Sequence, residues 1–152
     1  MKVAKFCSFF ENHWPSVPEI RPFFERYDRK EWSRGGEGQS LVLYGAEGTE
    51  NLEPFKDRID IHLAVYDDPE CGALLMYDKT GGKYSEHYYS LGDSVRFYET
   101  VKSREGSPLS KGLFVPLEQA WLAVEDFLLN EGQRSGRIHW IQADELSPDV
   151  CA

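Results

Sequence analysis

Four histidines, three cysteines and several adjacent carboxylates are the residues of this 152-residue chain that could carry chemistry. His13, His62, His87 and His139 lie far apart, and Cys7, Cys71 and Cys151 share no short spacing. A zinc site needs three or four such ligands together, commonly from C-x-x-C pairs or from an H-E-x-x-H helix face. Neither pattern occurs, nor does the H-x-E with P-C-x-x-C signature of zinc deaminases. The histidines are therefore expected to be structural, with His62 facing solvent or a polar neighbour and no metal bound. Asp67-Asp68 reads as solvated charge at a turn, and Glu125-Asp126 as solvated charge on the outer part of a helix. A pairing of Cys71 with His87 as nucleophile and base lacks the electropositive surroundings that activate a thiolate. The Gly-Gly pairs have neither G-x-G-x-x-G nor Walker spacing, so no phosphate cradle is expected. No catalytic signature remains, and no enzymatic role is expected.

The segment Tyr84-Ser-Glu-His-Tyr-Tyr-Ser90 offers recognition rather than reaction. In a strand, side chains alternate, so Tyr84, Glu86, Tyr88 and Ser90 share one face and Ser85, His87 and Tyr89 the other. The tyrosine face has two readings. It covers the rim of the core, or it is an exposed aromatic and acidic patch with the composition of an interface hot spot beside a charged rim.

Charge supports a protein partner over a polyanion. The net charge is -9, and it is uneven: residues 35–60 carry two Lys/Arg against six Asp/Glu, and residues 117–152 carry two against seven. Such a surface repels nucleic acid and attracts a basic protein, although on charge by itself solubility alone is the better explanation. Three cysteines at unrelated spacings suit reduced thiols. Phe6 to Phe10 is too short an apolar run for a signal peptide, and no segment approaches membrane-spanning length, so a cytoplasmic location is expected.

These residues must be placed by a fold of about one domain, 1–152, with 143–152 read as an acidic tail. Ser16-Val-Pro-Glu19 is a capping-box pattern, and Ile20, Phe23, Phe24 and Tyr27 follow at helical spacing, predicting a helix over 17–31. Pro116 opens a second helix with an apolar stripe through Leu117, Ala120, Trp121, Val124, Phe127 and Leu128, stopped near Gly132. Strands are expected at 3–10, 41–44, 59–66, 73–77, 84–91, 95–101 and 137–141, with loops at 45–58 and 102–112. Short strands in succession with few helices between them predict an α+β domain: a mainly antiparallel sheet of about six strands with two helices packed on it.

Five motifs in order carry a family resemblance. They are Leu75-Met-Tyr-Asp-Lys-Thr-Gly-Gly-Lys-Tyr84, Tyr88-Tyr-Ser-Leu-Gly-Asp93, Val115-Pro-Leu-Glu-Gln-Ala120, Phe127-Leu-Leu-Asn-Glu-Gly132 and Ile138-His-Trp140. The pattern resembles immunity family one of bacterial polymorphic-toxin systems, over about residues 59–141. It departs from the family in the lengthening Ser85-Glu-His87 insertion and in the run beyond Trp140. The resemblance implies a non-enzymatic, cofactor-free protein that binds a cognate toxin one-to-one, often a nucleic-acid deaminase, and blocks its catalytic face. It implies no nucleic-acid, membrane or small-molecule partner. It also implies that Gly81, Gly82, Gly92, Pro116 and Trp140 serve the fold. Adding the charge pattern places the toxin contact at Glu47, Glu50, Tyr84, Glu86, Tyr88 and Asp93, within an acidic patch over 37–60 and beside the two tyrosines. The competing classes are a small enzyme or ligand-binding domain with a pocket between sheet and helices, and a structural adaptor. An enzyme needs titratable groups converging in a cleft; an inhibitor needs an exposed patch.

Overall fold

A computed structural model describes residues 2–6, 14–32, 41–47 and 58–152. Its centre is an antiparallel sheet built from β1 (Lys2–Phe6), β2 (Leu41–Glu47), β3 (Ile59–Asp68), β4 (Gly72–Gly81), β5 (Tyr84–Ser90) and β9 (Trp140–Gln142), neighbours in that order. The two-residue strand β8 (Phe114–Val115) pairs with the start of β4. The expected α+β architecture is the one observed.

Alternation in β3 and β4 creates two faces. Ile61, Leu63 and Val65 point to one side together with Ala73, Leu75 and Tyr77 of β4, where Leu63 pairs Tyr77 and Val65 pairs Leu75. The helices α1 (Val17–Glu25) and α3 (Leu117–Leu129) cover this side, giving it Ile20, Phe24, Ala120, Val124 and Phe127. Trp14 stacks on Phe127 with ring centres 5.5 Å apart, and its indole N–H donates to Leu128 O. The space between sheet and helices is thus filled by side chains.

The second face was not foreseen. Residues 102–112, expected as loop, hold part of a hairpin of β6 (Thr100–Lys102) and β7 (Pro108–Ser110), followed by a 3₁₀ turn at Lys111–Leu113. The stretch after β9, expected as a polar tail, folds back against this hairpin: Ser110 N–H donates to Cys151 O at 2.8 Å, and Val150 and Leu146 join Leu74, Leu109, Leu113 and Phe114 in a smaller core. Ser90 stitches the layers, its hydroxyl accepting from Leu75 N–H and donating to Leu113 O.

Other boundaries shift for local reasons. The helix expected over 17–31 breaks after Glu25, and a single turn α2 (Arg29–Trp32) follows. Asp28 starts that turn by accepting from Lys30 N–H, as an Asx side chain does at a helix start. The strand expected at 95–101 is mostly absent, because Asp93 accepts from Val95 N–H and caps a 3₁₀ turn at Ser94–Arg96. β4 and β5 meet through Gly82 and Lys83 alone, with Gly81 and Gly82 at φ +111° and +55°, angles that glycine adopts without a Cβ penalty. Of the strand expected at 3–10, residues 7–10 lie outside the described residues, as does most of the loop expected at 45–58.

Candidate functional site

Strand register decides what the tyrosine face does. Tyr88 pairs Tyr77, Glu86 pairs Lys79, and Tyr84 pairs Gly81. Tyr77 is buried under the helices, so Tyr84, Glu86 and Tyr88 lie on the helix side of the sheet, reaching progressively outward from the core. Tyr88 is half-buried against the core. The Arg134 guanidinium sits 3.9 Å above its ring, and Gln142 Nε2 donates to its hydroxyl at 3.2 Å. Tyr84 is 42% exposed, with the Lys79 ammonium 3.9 Å from its ring centre. Tyr88 thus covers the core rim, whereas Tyr84 presents an open edge, and each ring face attracts a cation.

The acidic residues expected beside these tyrosines separate. Asp93 lies three residues beyond the far end of β5 and spends its carboxylate on the turn it caps. Its place beside Tyr84, at the opposite end of β5, is therefore corrected; the exposed Val95 and Tyr98 follow it in the chain. Glu47 ends β2 opposite Ile59, at the end of the sheet where Tyr84 begins β5. Glu50 and most of the 37–60 patch lie outside the described residues.

Sequence reasoning missed a row of polar groups on the opposite face. His62 on β3, Asp78 on β4 and His87 on β5 are direct cross-strand partners. His87 Nδ1 lies 2.5 Å from Asp78 Oδ1, and His62 Nδ1 lies 3.6 Å from Oδ2. An ionised carboxylate only accepts, so the close contact puts the His87 proton on Nδ1. Burial pushes the Asp78 carboxyl upward, but hydrogen bonds from both imidazoles overcome it and hold the acid below the usual carboxylate range. The row continues with Tyr44, whose hydroxyl donates to Asp60 and accepts from Arg58. Among the described residues no three His, Cys, Asp or Glu side chains are grouped to hold a metal.

A cleft of about 310 Å³ opens where these two faces meet at the edge of β5, lined by residues 85–88 and 142–144. His87 links it to the histidine row. No protein-family model, no curated protein and no solved structure matches this chain.

Several other candidates resolve into structure. Cys71 sits by the β3–β4 turn and His87 towards the other end of β4, so register forbids the pair. Burial, then nearby Asp68, raises the Cys71 thiol further from activation. Asp67 is not solvated charge: its side chain is fully buried and clasped by Arg104. Glu125 and Asp126 are likewise engaged, both by Arg137, whose hydrogen bonds lower both carboxyls. Gly92 serves close packing, since a Cβ there would lie 2.0 Å from Phe114 O. Trp140 N–H donates to Ser135 O at 2.8 Å. Among the described residues no helix is long and apolar enough to cross a membrane.

Proposed function

We propose that this chain is an immunity protein: it binds a cognate bacterial toxin, of the nucleic-acid deaminase class, and covers the toxin's active site as a one-to-one complex in the cytoplasm. The five ordered motifs motivate the family, and one surface supports a binding role. That surface is the outer end of β5, where exposed Tyr84, half-buried Tyr88 and Glu86 stand beside an open cleft. Rigid aromatic area next to carboxylates is what interface anchors are made of. A toxin that acts on nucleic acid carries a basic groove, and a partner of net charge -9 is drawn into the same field. The inhibition is steric and needs no cofactor or catalytic step.

A small-ligand or enzymatic domain is the second reading. It has one observation in its favour, the Asp78-oriented His87 at the mouth of the cleft. That cleft lies at the sheet edge rather than between sheet and helices.

Co-expression with the cognate toxin separates the two. Survival together with co-purification at equal stoichiometry is expected. Continued killing with both proteins soluble and abundant would refute the immunity reading.

A further inference from the structure

Half of β5 has an open edge. β9 pairs it only from Ser90 back to Tyr88, and the chain then curls into the 3₁₀ turn Ala143–Glu145. The phase of the ladder is fixed by Leu91, whose N–H donates to His139 O at 2.9 Å. Main-chain groups alternate sides in an antiparallel strand, so those of Tyr89, His87 and Ser85 point the same way as those of Leu91. The two-residue turn at the start of β5 gives the same phase, because Gly81 and Tyr84 close it towards β4. The N–H groups of Ser85 and His87 therefore point out of the sheet, with no strand beside them among the described residues. The cleft runs along this edge. It is lined by two carboxylates, Glu86 and Asp144, and by no Lys or Arg. Among the described residues neither acid has an ion-pair partner within 4.0 Å. The nearby Arg134 is stacked over the Tyr88 ring.

We propose that this edge takes up an extended segment of the partner protein as an added strand, held by main-chain hydrogen bonds at Ser85 and His87, with a Lys or Arg of that segment seated between Glu86 and Asp144. The inference rests on the binding reading above and adds how the partner docks. Strand addition supplies affinity through the main chain, while pockets for alternate side chains supply selectivity. Here the pocket beside the edge is acidic, which selects a cation.

The test uses the full chain, labelled with ¹⁵N, titrated with the peptide acetyl-Val-Lys-Val-Lys-Val-amide. The amide signals of Ser85 and His87 are expected to shift and their hydrogen exchange to slow. A Glu-for-Lys peptide should bind about tenfold more weakly or worse, and Asp144→Lys should weaken the Lys peptide by a similar factor. Methylating alternate peptide nitrogens leaves every side chain in place and should remove binding. Unmoved Ser85 and His87 signals, or equal binding of the methylated peptide, would overturn the proposal. So would a peptide-free dimer, seen by sedimentation, that Ser85→Pro dissociates, because the edge would then belong to a second copy of this chain. The toxin gives the independent arm. Full rescue by folded Ser85→Pro and Asp144→Lys variants discards strand addition and leaves the immunity reading standing. Failure of the unaltered protein to rescue, with peptide binding at Ser85 and His87 intact, discards only the immunity reading.

Discussion

Arg104 ties three parts of the chain together through one guanidinium. Its Nη2 lies 2.7 and 2.8 Å from the two oxygens of Asp67 and 3.3 Å from Arg29 O, while Tyr27 donates its hydroxyl to the same carboxylate at 2.5 Å. Because the Asp67 side chain is fully buried, removing its cation strands a charge in low dielectric. Arg104→Ala should cost about 3–5 kcal/mol in urea unfolding, whereas breaking the exposed pair of Arg96 with Glu99 should leave the unfolding midpoint nearly unchanged. A strand read as ending at Tyr66 leaves both Asp67 and Asp68 as turn charge; β3 in fact runs on to Asp68, its alternation turns Asp67 inward, and the cation that holds it lies 37 positions away. The histidine row is hidden for the same reason, since only cross-strand register brings His62, Asp78 and His87 together. Asp78 also sets a pH dependence. Its folded carboxyl lies below the ordinary range, so its stabilising contribution is complete above that range and disappears as pH falls through the depressed value. Asp78→Asn should therefore flatten the acid limb of stability against pH, measured as denaturant midpoints from about pH 2 to 6.

The elements that repeat a strong period were legible. In α3 the apolar stripe at Ala120, Val124, Phe127 and Leu128 is the buried one, and the alternation of β3 correctly sorts its two faces. A contrast within α3 tests how completely burial governs it. Phe127 is 1% exposed and touched by Trp14 and Tyr77, so Phe127→Ala should cost about 3–5 kcal/mol. Leu129, two positions on and 64% exposed, should change stability by no more than about 0.5 kcal/mol when replaced by Ala. Equal losses at the two sites would mean that α3 is rotated from the placement described. The weaker signals failed where a single side chain outbid composition. Val95 to Val101 has strand-forming residues, yet Asp93 captures the Val95 N–H and starts a turn. The run after β9 looks polar because Leu146 and Val150 are diluted by three acids and Pro148, yet those two residues are enough to dock it on the smaller core. Of the expected contact residues, Tyr84, Glu86 and Tyr88 do share one face, because period two is a property of any strand; Asp93 fell outside because its turn was not recognised.

At the scale of the whole molecule, charge and edge geometry act on different rate constants. Under the proposed function a net charge of -9 would steer encounter, so association with the proposed basic toxin should slow steeply as salt rises, while dissociation changes little. Tyr84→Ala should leave the fold unchanged, given its exposure, and speed dissociation by a factor equivalent to about 2 kcal/mol if the ring is an anchor. Tyr88→Ala should in addition lower thermal stability, because that ring covers the core rim. Stopped-flow binding at two salt concentrations reads the kinetic effects, and salt-independent association with an unaffected Tyr84→Ala complex would move the contact surface elsewhere. The topology also orders events in time. Ser90 pairs with Trp140, a residue added to the growing chain fifty positions later. At roughly 5–20 residues per second of synthesis, β5 stands for several seconds with its whole outer edge unpaired on the ribosome. A nascent strand in that state is a template for any neighbouring chain. The late arrival of β9 narrows that opening from the seven residues of β5 to its first four, so a chain halted before Trp140 exposes a longer sticky edge than the finished protein.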